Sequence, residues 1–66
     1  MIILYSTDCP RCKVLEKKLD QKEIEYSINS NVDEMLSKGF MEAPILEVDG
    51  VDMNFMEANN WIKEQN

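Results

Sequence analysis

The chain begins with an apolar run, a polar break and a pair of cysteines: Ile2-Ile3-Leu4-Tyr5-Ser6-Thr7-Asp8-Cys9-Pro10-Arg11-Cys12. Four successive apolar residues are typical of a central β-strand that is covered on both faces. Pro10 suits the first position of a helix, because the N–H that it lacks would have no partner there. Cys9 then becomes the N-cap residue, and its sulfur can accept a hydrogen bond from the N–H of Arg11 or Cys12. The segment therefore predicts a strand, a short loop and a helix, with both thiols at the start of the helix.

Two thiols at this spacing predict redox chemistry. The start of a helix offers unpaired N–H groups and a partial positive charge, and both favour a thiolate over a thiol. Arg11 and Lys13 add positive charge near Cys9, which lowers the pKa of its thiol. Asp8 opposes this effect, because it is a like charge beside the thiolate. We therefore expect a thiol–disulfide oxidoreductase in which Cys9 is the attacking thiolate and Cys12 is the resolving thiol.

Length and composition limit the classes of protein to which the chain can belong. Sixty-six residues with two cysteines and no histidine predict one small domain over residues 1–66. A net charge of -6 disfavours nucleic acid and anionic membrane surfaces as partners. No apolar segment approaches the roughly 20 residues of a membrane span, and Met1–Tyr5 is too short for the core of a signal peptide. We expect a cytoplasmic protein, in a compartment where such a cysteine pair serves redox or metal chemistry more often than structural bridging.

The rest of the chain predicts three further strands and two further helices. Asp49-Gly50 is a strong signal for a two-residue hairpin. Gly39 is a typical helix stop, and Asn54 with a glutamate three residues later resembles a capping box. The elements expected after the first strand are a helix from Pro10, a strand at Ile24–Ile28, a helix at about Val32–Lys38, strands at Ile45–Val48 and Val51–Met53, and a closing helix.

These elements predict an α/β domain with the order β-α-β-α-β-β-α. A helix between each of the first three strands favours right-handed crossovers and parallel pairing, and the hairpin adds an antiparallel edge strand. We expect a four-stranded mixed sheet with helices on both faces. The helix side chains expected in the core are Cys12, Leu15 and Leu19 of the first helix, Val32, Met35 and Leu36 of the second, and Ala58, Trp61 and Ile62 of the last.

The residues around the dithiol and three later features resemble the glutaredoxin branch of the thioredoxin superfamily. The matching segments are Tyr5–Lys13, Ala43-Pro44 before the third strand, Asp49-Gly50 in the hairpin, and the closing helix. The resemblance covers nearly the whole chain and implies a thioredoxin-like fold. It implies that Pro44 is the cis-proline opposite the dithiol, and that the backbone of Ala43 pairs with an extended substrate. Tyr5, Pro10 and Arg11, which flank or separate the cysteines, complete the expected substrate-binding set.

Two departures from the glutaredoxin pattern bear on the electron donor. Ser6 stands where glutaredoxins usually carry a basic residue, which would pair with a glutathione carboxylate. Residues 53–57 stand where glutaredoxins carry a glycine pair and then an acidic residue, and the loss of the glycines puts Cβ atoms where the glutathione backbone approaches closely. The Asn54-Phe55 pair gives the chain a resemblance to ribonucleotide-reductase-associated redoxins. These proteins take electrons from thioredoxin reductase. Thioredoxin reductase and glutathione are both possible electron donors, and the two departures slightly favour thioredoxin reductase.

The expected substrates are disulfide-containing proteins, of which ribonucleotide reductase is one candidate, or small disulfides. We expect a monomer without a tightly bound cofactor and without a metal. A rival interpretation is a metal or iron–sulfur carrier that uses the same cysteines. Zinc takes about four ligands, so a chain with one cysteine pair and no histidine would need a second chain or external thiols. Four aromatic side chains could line a substrate groove, although aromatic residues in so small a chain belong more often to the core: Tyr5, Phe40, Phe55 and Trp61. Tyr5 is the best candidate for the groove, because it ends the strand that leads to Cys9.

Overall fold

The computed structural model describes residues 1–65 and contains four strands and three helices. They are β1 (Ile2–Tyr5), α1 (Pro10–Gln21), β2 (Ser27–Asn29), α2 (Val32–Ser37), β3 (Ile45–Val48), β4 (Val51–Met53) and α3 (Phe55–Lys63). The strands form one sheet in the order β2-β1-β3-β4. The predicted element order and the four-stranded mixed sheet are confirmed, and the arrangement is thioredoxin-like.

Helices lie on both faces of the sheet, as predicted. The helices α1 and α3 share one face, and their side chains pack with Leu4 and Leu46 at the centre of the sheet. The buried residues that they contribute are Leu15, Leu19, Ala58 and Ile62. On the opposite face, Met35 of α2 packs against Tyr5 and Ile45. Because β1 supplies Leu4 to one core and Tyr5 to the other, the continuous apolar run of this strand is explained by burial on both faces.

The direction of β3 differs from the prediction. The strands β1 and β2 are parallel, with Leu4 beside Ile28, but β3 runs antiparallel to β1, with Leu4 beside Leu46. A parallel crossover needs a helix long enough to carry the chain back to the starting edge of the sheet. The helix α2 has only six residues and rises by about 9 Å. The chain therefore enters β3 from the edge at which β2 ended, and the predicted parallel pairing of the third strand is wrong.

The second strand is shorter than predicted. It covers Ser27–Asn29 rather than Ile24–Ile28, because Ser27 already pairs with Ile3 near the beginning of β1. Ile24 and Tyr26 lie before the strand and pack against the core that α1 and α3 form. The alternation of apolar and polar residues at 24–28 therefore results from the burial of Ile24 and Tyr26 on one side of the chain, and it does not indicate a longer β-strand.

The helix α2 buries less than predicted. Asn31 caps it by accepting a hydrogen bond from the N–H of Glu34 at 3.1 Å, and Gly39 follows it with a φ of 81°. Met35 is buried, whereas Val32 is 52% exposed and Leu36 is 65% exposed. A helix of fewer than two turns can direct only one narrow side at the sheet, so the expected burial of Val32 and Leu36 is wrong.

The hairpin and the last helix follow the sequence signals. Asp49 and Gly50 both have positive φ values, 49° and 86°, as a tight two-residue turn requires. Asn54 and Glu57 form the predicted capping box, because each side chain accepts a hydrogen bond from the backbone N–H of the other. Trp61 is half-buried against the core. No helix within residues 1–65 has the length and apolar character needed to cross a membrane.

The two helical leucines Leu19 and Leu36 allow a matched test of this packing. Leu19→Ala removes a side chain that is 0% exposed, and we expect the free energy of unfolding to fall by about 2–5 kcal/mol. Leu36→Ala removes a side chain that is 65% exposed, so a change within about 0.5 kcal/mol is expected. Urea titrations followed by circular dichroism would measure both values. Equal losses in the two variants would contradict the placement of α2.

Candidate active site

Cys9 begins the helix α1 and forms its N-cap. The backbone of Cys9 is extended, with φ of -80° and ψ of 164°, and Pro10 occupies the first helical turn. The sulfur of Cys9 accepts a hydrogen bond from the N–H of Cys12, with 3.2 Å between nitrogen and sulfur. A sulfur atom thus takes the place that a serine or aspartate oxygen usually fills, and the predicted N-cap is confirmed.

The two cysteines are joined as a disulfide and differ in exposure. Their Cα atoms lie 5.0 Å apart, within the usual range for a disulfide. Cys9 is half-buried at the surface, whereas Cys12 is 0% exposed and lies on the inner side of α1 with Leu15 and Leu19. Cys9 is therefore the cysteine of the pair that is open to solvent, whereas Cys12 is closed to it.

The loop between β1 and α1 is fixed by hydrogen bonds around Ser6. Ser6 is 3% exposed, and its backbone N–H donates to the carbonyl of Asn29 at 3.0 Å. Its hydroxyl accepts from the N–H of Asp8 at 3.1 Å, and Asp8 has a φ of 62°. These contacts turn the chain sharply between the strand and Cys9. Ser6 is thus a buried loop residue, with its hydroxyl oxygen occupied by this internal contact.

Ala43 and Pro44 lie at the same edge of the sheet as the dithiol. Ile45, the next residue, pairs with Tyr5, so the chain enters β3 where β1 gives way to the loop that carries Cys9. The peptide bond between Ala43 and Pro44 is cis, as the resemblance implies, and the Pro44 side chain is fully buried. Ala43 is half-buried and remains accessible beside the dithiol loop.

An apolar cavity of about 260 Å³ runs from this edge along α2. Thr7 and Ala43 line its end near the dithiol, and Phe40 and Met35 line it further along. Four exposed residues complete it, of which three are apolar and one is acidic: Val32, Leu36, Met41 and Glu42. Val32 and Leu36, which the helical pattern predicts in the core, line this surface instead, so the surface itself was not predicted. One signal in the sequence could have indicated this surface: Val32 and Leu36 are apolar residues among strongly polar neighbours in a very short helix.

A second cavity, of about 320 Å³, lies between the starts of α1 and α3. Arg11 and Phe55 line it together with Glu42, Asn54 and Met56. The guanidinium carbon of Arg11 lies 5.4 Å from the centre of the Phe55 ring, a cation–π contact. Lys13, the other nearby cation, lies 4.0 Å from the carboxylate of Asp8. Sequence reasoning did not identify the contact of Arg11 with Phe55.

Tyr5 lies in the core rather than in a groove. It is 1% exposed, and its ring packs edge-on against Phe40, with 5.0 Å between the ring centres. Its hydroxyl donates to the carboxylate of Glu47 at 3.5 Å, and the same carboxylate lies 3.3 Å from the ammonium of Lys38. Burial and the charge of Glu47 raise the pKa of Asp52, which lies opposite Glu47 on β4. Tyr5 therefore supports the end of β1 from within the core, with almost none of its surface exposed.

The cysteine pair has no further metal-binding neighbour within residues 1–65. No three histidine, cysteine, aspartate or glutamate side chains in this part of the chain lie close enough to hold a metal ion together. A metal bound by Cys9 and Cys12 would take its remaining ligands from a second chain or from external thiols.

Comparison with known proteins adds no assignment. No protein-family model matches the sequence, and no curated protein matches it either. The function is therefore inferred from the thioredoxin-like fold and from the dithiol at the start of α1.

The difference in exposure predicts selective alkylation of the reduced protein. Iodoacetamide should modify Cys9 rapidly, because its sulfur is accessible, and should leave Cys12 unmodified while the fold is intact. Mass spectrometry of the intact protein and its peptides would identify the modified residue. Cys12→Ser should keep the fast modification and Cys9→Ser should lose it. Preferential modification of Cys12 would reverse the assigned roles.

Proposed function

We propose that this protein is a glutaredoxin-like thiol–disulfide oxidoreductase that reduces disulfides in proteins or small molecules. The observation that carries the proposal is the asymmetric dithiol at the start of α1. Cys9 is partly exposed and its sulfur accepts a hydrogen bond from the N–H of Cys12, whereas Cys12 is buried. The helix start stabilises a thiolate on the exposed cysteine, which is the one that meets a substrate.

The reaction transfers two electrons from the dithiol to the substrate. The Cys9 thiolate attacks one sulfur of the substrate disulfide, which forms a mixed disulfide and releases the first substrate thiolate. The thiol of Cys12 then loses its proton, and its sulfur attacks the sulfur of Cys9. This step releases the second substrate thiolate and leaves Cys9 and Cys12 joined, as the structure has them. The buried position of Cys12 favours this intramolecular step over reaction with a second substrate.

The surroundings of the dithiol support an extended polypeptide as substrate. Ala43 is accessible beside the dithiol and precedes the buried Pro44, so its backbone is available for pairing with an extended chain. The apolar cavity along α2 begins at the same place, with Thr7 and Ala43 at its end. A disulfide-containing protein can therefore place backbone on Ala43 and an apolar side chain along α2. Ribonucleotide reductase is one candidate for such a protein.

Two features support thioredoxin reductase over glutathione as the electron donor. Ser6 offers no positive charge to a glutathione carboxylate, and its hydroxyl oxygen already accepts from the N–H of Asp8. At the start of α3, the N–H of Glu57 is bound by the Asn54 side chain, and the Glu57 carboxylate is bound in return by the N–H of Asn54. These groups are therefore occupied within the capping box. The proposal includes a cytoplasmic location, where reductases keep such a cysteine pair reduced.

Serine variants test the assignment of the two thiols. Cys9→Ser should reduce disulfide turnover to the uncatalysed background, because no accessible thiolate remains. Cys12→Ser should still attack but should accumulate a mixed disulfide, because the resolving sulfur is absent. Turnover of bis(2-hydroxyethyl) disulfide and mass spectrometry of the trapped adduct would measure both effects. Substantial turnover by Cys9→Ser would refute the nucleophile assignment.

The electron donor can be determined by NADPH consumption with the same small disulfide. We expect turnover with thioredoxin reductase and little with glutathione plus glutathione reductase. Turnover with glutathione plus glutathione reductase, but not with thioredoxin reductase, would make the protein a glutathione-dependent glutaredoxin. It would also show that residues 53–57 admit the tripeptide. If neither system supports turnover, and dithiothreitol-reduced protein also fails to reduce the disulfide in a single turnover, the proposed activity is wrong.

A further inference from the structure

Glu42 lies between the two cavities at the dithiol edge of the sheet. It lines the apolar cavity that runs along α2, and it also lines the cavity between the starts of α1 and α3. The dithiol loop contributes to both cavities, since Thr7 lines the first and Arg11 lines the second. The two cavities therefore meet at an acidic residue, on the surface where a substrate of Cys9 would lie.

The position of Glu42 in the chain places it next to the expected substrate backbone. It directly precedes Ala43 and the cis peptide bond to Pro44, where the chain enters β3 beside the end of β1. Under the proposed function, an extended polypeptide pairs with the backbone of Ala43. Such a polypeptide meets the side chain of Glu42 on the neighbouring residue.

The carboxylate of Glu42 has no cationic partner within residues 1–65. Glu42 is exposed, and no ammonium or guanidinium in this part of the chain lies within 4.0 Å of its carboxylate. Arg11, which lines the second cavity with it, lies over the ring of Phe55. Lys38, which follows α2, is paired with Glu47 at 3.3 Å. A cation on a bound partner can therefore pair with Glu42 without breaking an ion pair of the protein.

The charge around the apolar cavity favours a cationic partner. Among the described residues that line this cavity, Glu42 alone carries a charge. Asp33 and Glu34 add two more carboxylates in the first turn of α2, next to Val32, which also lines the cavity. The whole chain has a net charge of -6, so a second copy of this chain is disfavoured as the occupant.

The apolar part of the cavity suits an aliphatic side chain. Val32, Leu36 and Met41 are 52%, 65% and 97% exposed, and Met35 and Phe40 line the cavity with them. A partner that covers these side chains removes apolar surface from water, which favours binding. The apolar surface and the carboxylate of Glu42 therefore describe a partner with an aliphatic residue and a cation close together.

We propose that Glu42 is a specificity-determining residue, which selects disulfide substrates that carry a lysine or arginine beside the reactive cysteine. The cation of the substrate pairs with the carboxylate of Glu42, and an aliphatic side chain on the other side of the cysteine lies in the cavity along α2. This inference rests on the proposed function, because it names the class of polypeptide that the dithiol reduces. Glu42 takes no part in the transfer of electrons.

The test measures the binding of linear peptides to the disulfide form of the protein, so it requires no redox step. Each peptide has a serine in place of the reactive cysteine, with a leucine and a lysine on its two sides, and both orders are made. Matched peptides carry glutamine in place of the lysine. Two-dimensional NMR titrations of isotope-labelled protein give the dissociation constants. In the order that binds more tightly, the lysine peptide should bind about two- to fivefold more tightly than its glutamine counterpart, as expected for an exposed ion pair. The amides of Leu36, Met41 and Ala43 should shift.

Two variants with the same net charge separate a local contact from general attraction. Glu42→Gln should bring the ratio of the two dissociation constants close to one, and Glu42→Lys should invert it. Glu25→Gln is the matched control and should leave the ratio unchanged. Glu25 is exposed and precedes β2, whose first residue pairs with Ile3 at the end of the sheet opposite the dithiol. Added salt should weaken the preference of the unchanged protein.

Four results would overturn the proposal. Equal losses of preference in Glu42→Gln and Glu25→Gln would show that net charge alone explains it. Equal binding of the lysine and glutamine peptides to the unchanged protein would contradict it, as would no detectable binding of either. Shifts of the Leu36, Met41 and Ala43 amides that depend on protein concentration, without any peptide, would assign the cavity to a second copy of this chain.

The binding measurement and the disulfide assays can fail separately. Preferential binding of the lysine peptide by a protein that reduces no disulfide would disprove the proposed function and leave the assignment of Glu42 intact. Reduction of disulfide peptides without a preference for the lysine peptide would overturn the assignment and leave the function intact.

Discussion

The antiparallel pairing of β1 with β3 is the contact on which the candidate site depends. Because Tyr5 lies beside Ile45, the end of one strand coincides with the start of the other. The loop that carries Cys9 and the peptide bond between Ala43 and Pro44 therefore meet at one edge of the sheet, although they are far apart in the sequence. Leu4 and Leu46 are paired and fully buried one step further in, which fixes this edge relative to α1 and α3. The geometry of the dithiol is thus a property of the sheet as much as of the helix.

The sheet positions the helix α1, and the sulfur of Cys9 caps the N-terminus of this helix. Apolar packing of Leu15 and Leu19 holds α1 on the sheet. The hydrogen bond from the N–H of Cys12 to the sulfur of Cys9 lies in the first turn of this helix. The same turn places Cys12 on the buried side and Cys9 at the surface, so one structural element exposes the first cysteine and buries the second. Of the two cations beside Cys9 in the sequence, Lys13 lies near the carboxylate of Asp8 and Arg11 lies over the ring of Phe55.

Local signals in the sequence were sufficient for most of the fold and for the dithiol. Three of these signals depend only on residues close to them in the sequence, and each is present as predicted: Pro10 at the start of α1, the Asp49-Gly50 turn, and the capping box of Asn54. The errors concern interactions between distant segments. The direction of β3 depends on the path that the chain takes across the sheet after α2, and no local pattern encodes that path, although the length of α2 itself was predicted to within one residue. The contact between Arg11 and Phe55 joins two helix starts that are neighbours only after folding.

The hydrogen bond from the N–H of Cys12 to the sulfur of Cys9 joins the folding equilibrium to the acid–base equilibrium of the thiol. In a thermodynamic cycle, the free energy by which the fold prefers a thiolate equals the free energy by which a thiolate stabilises the fold. Any preference that the fold gives to a thiolate on Cys9 therefore stabilises the reduced chain by the same amount, and this part of the stability is lost as the pH falls and the thiol is protonated. The change in acidity of this thiol on folding and the pH-dependent part of the free energy of unfolding are two measurements of a single quantity.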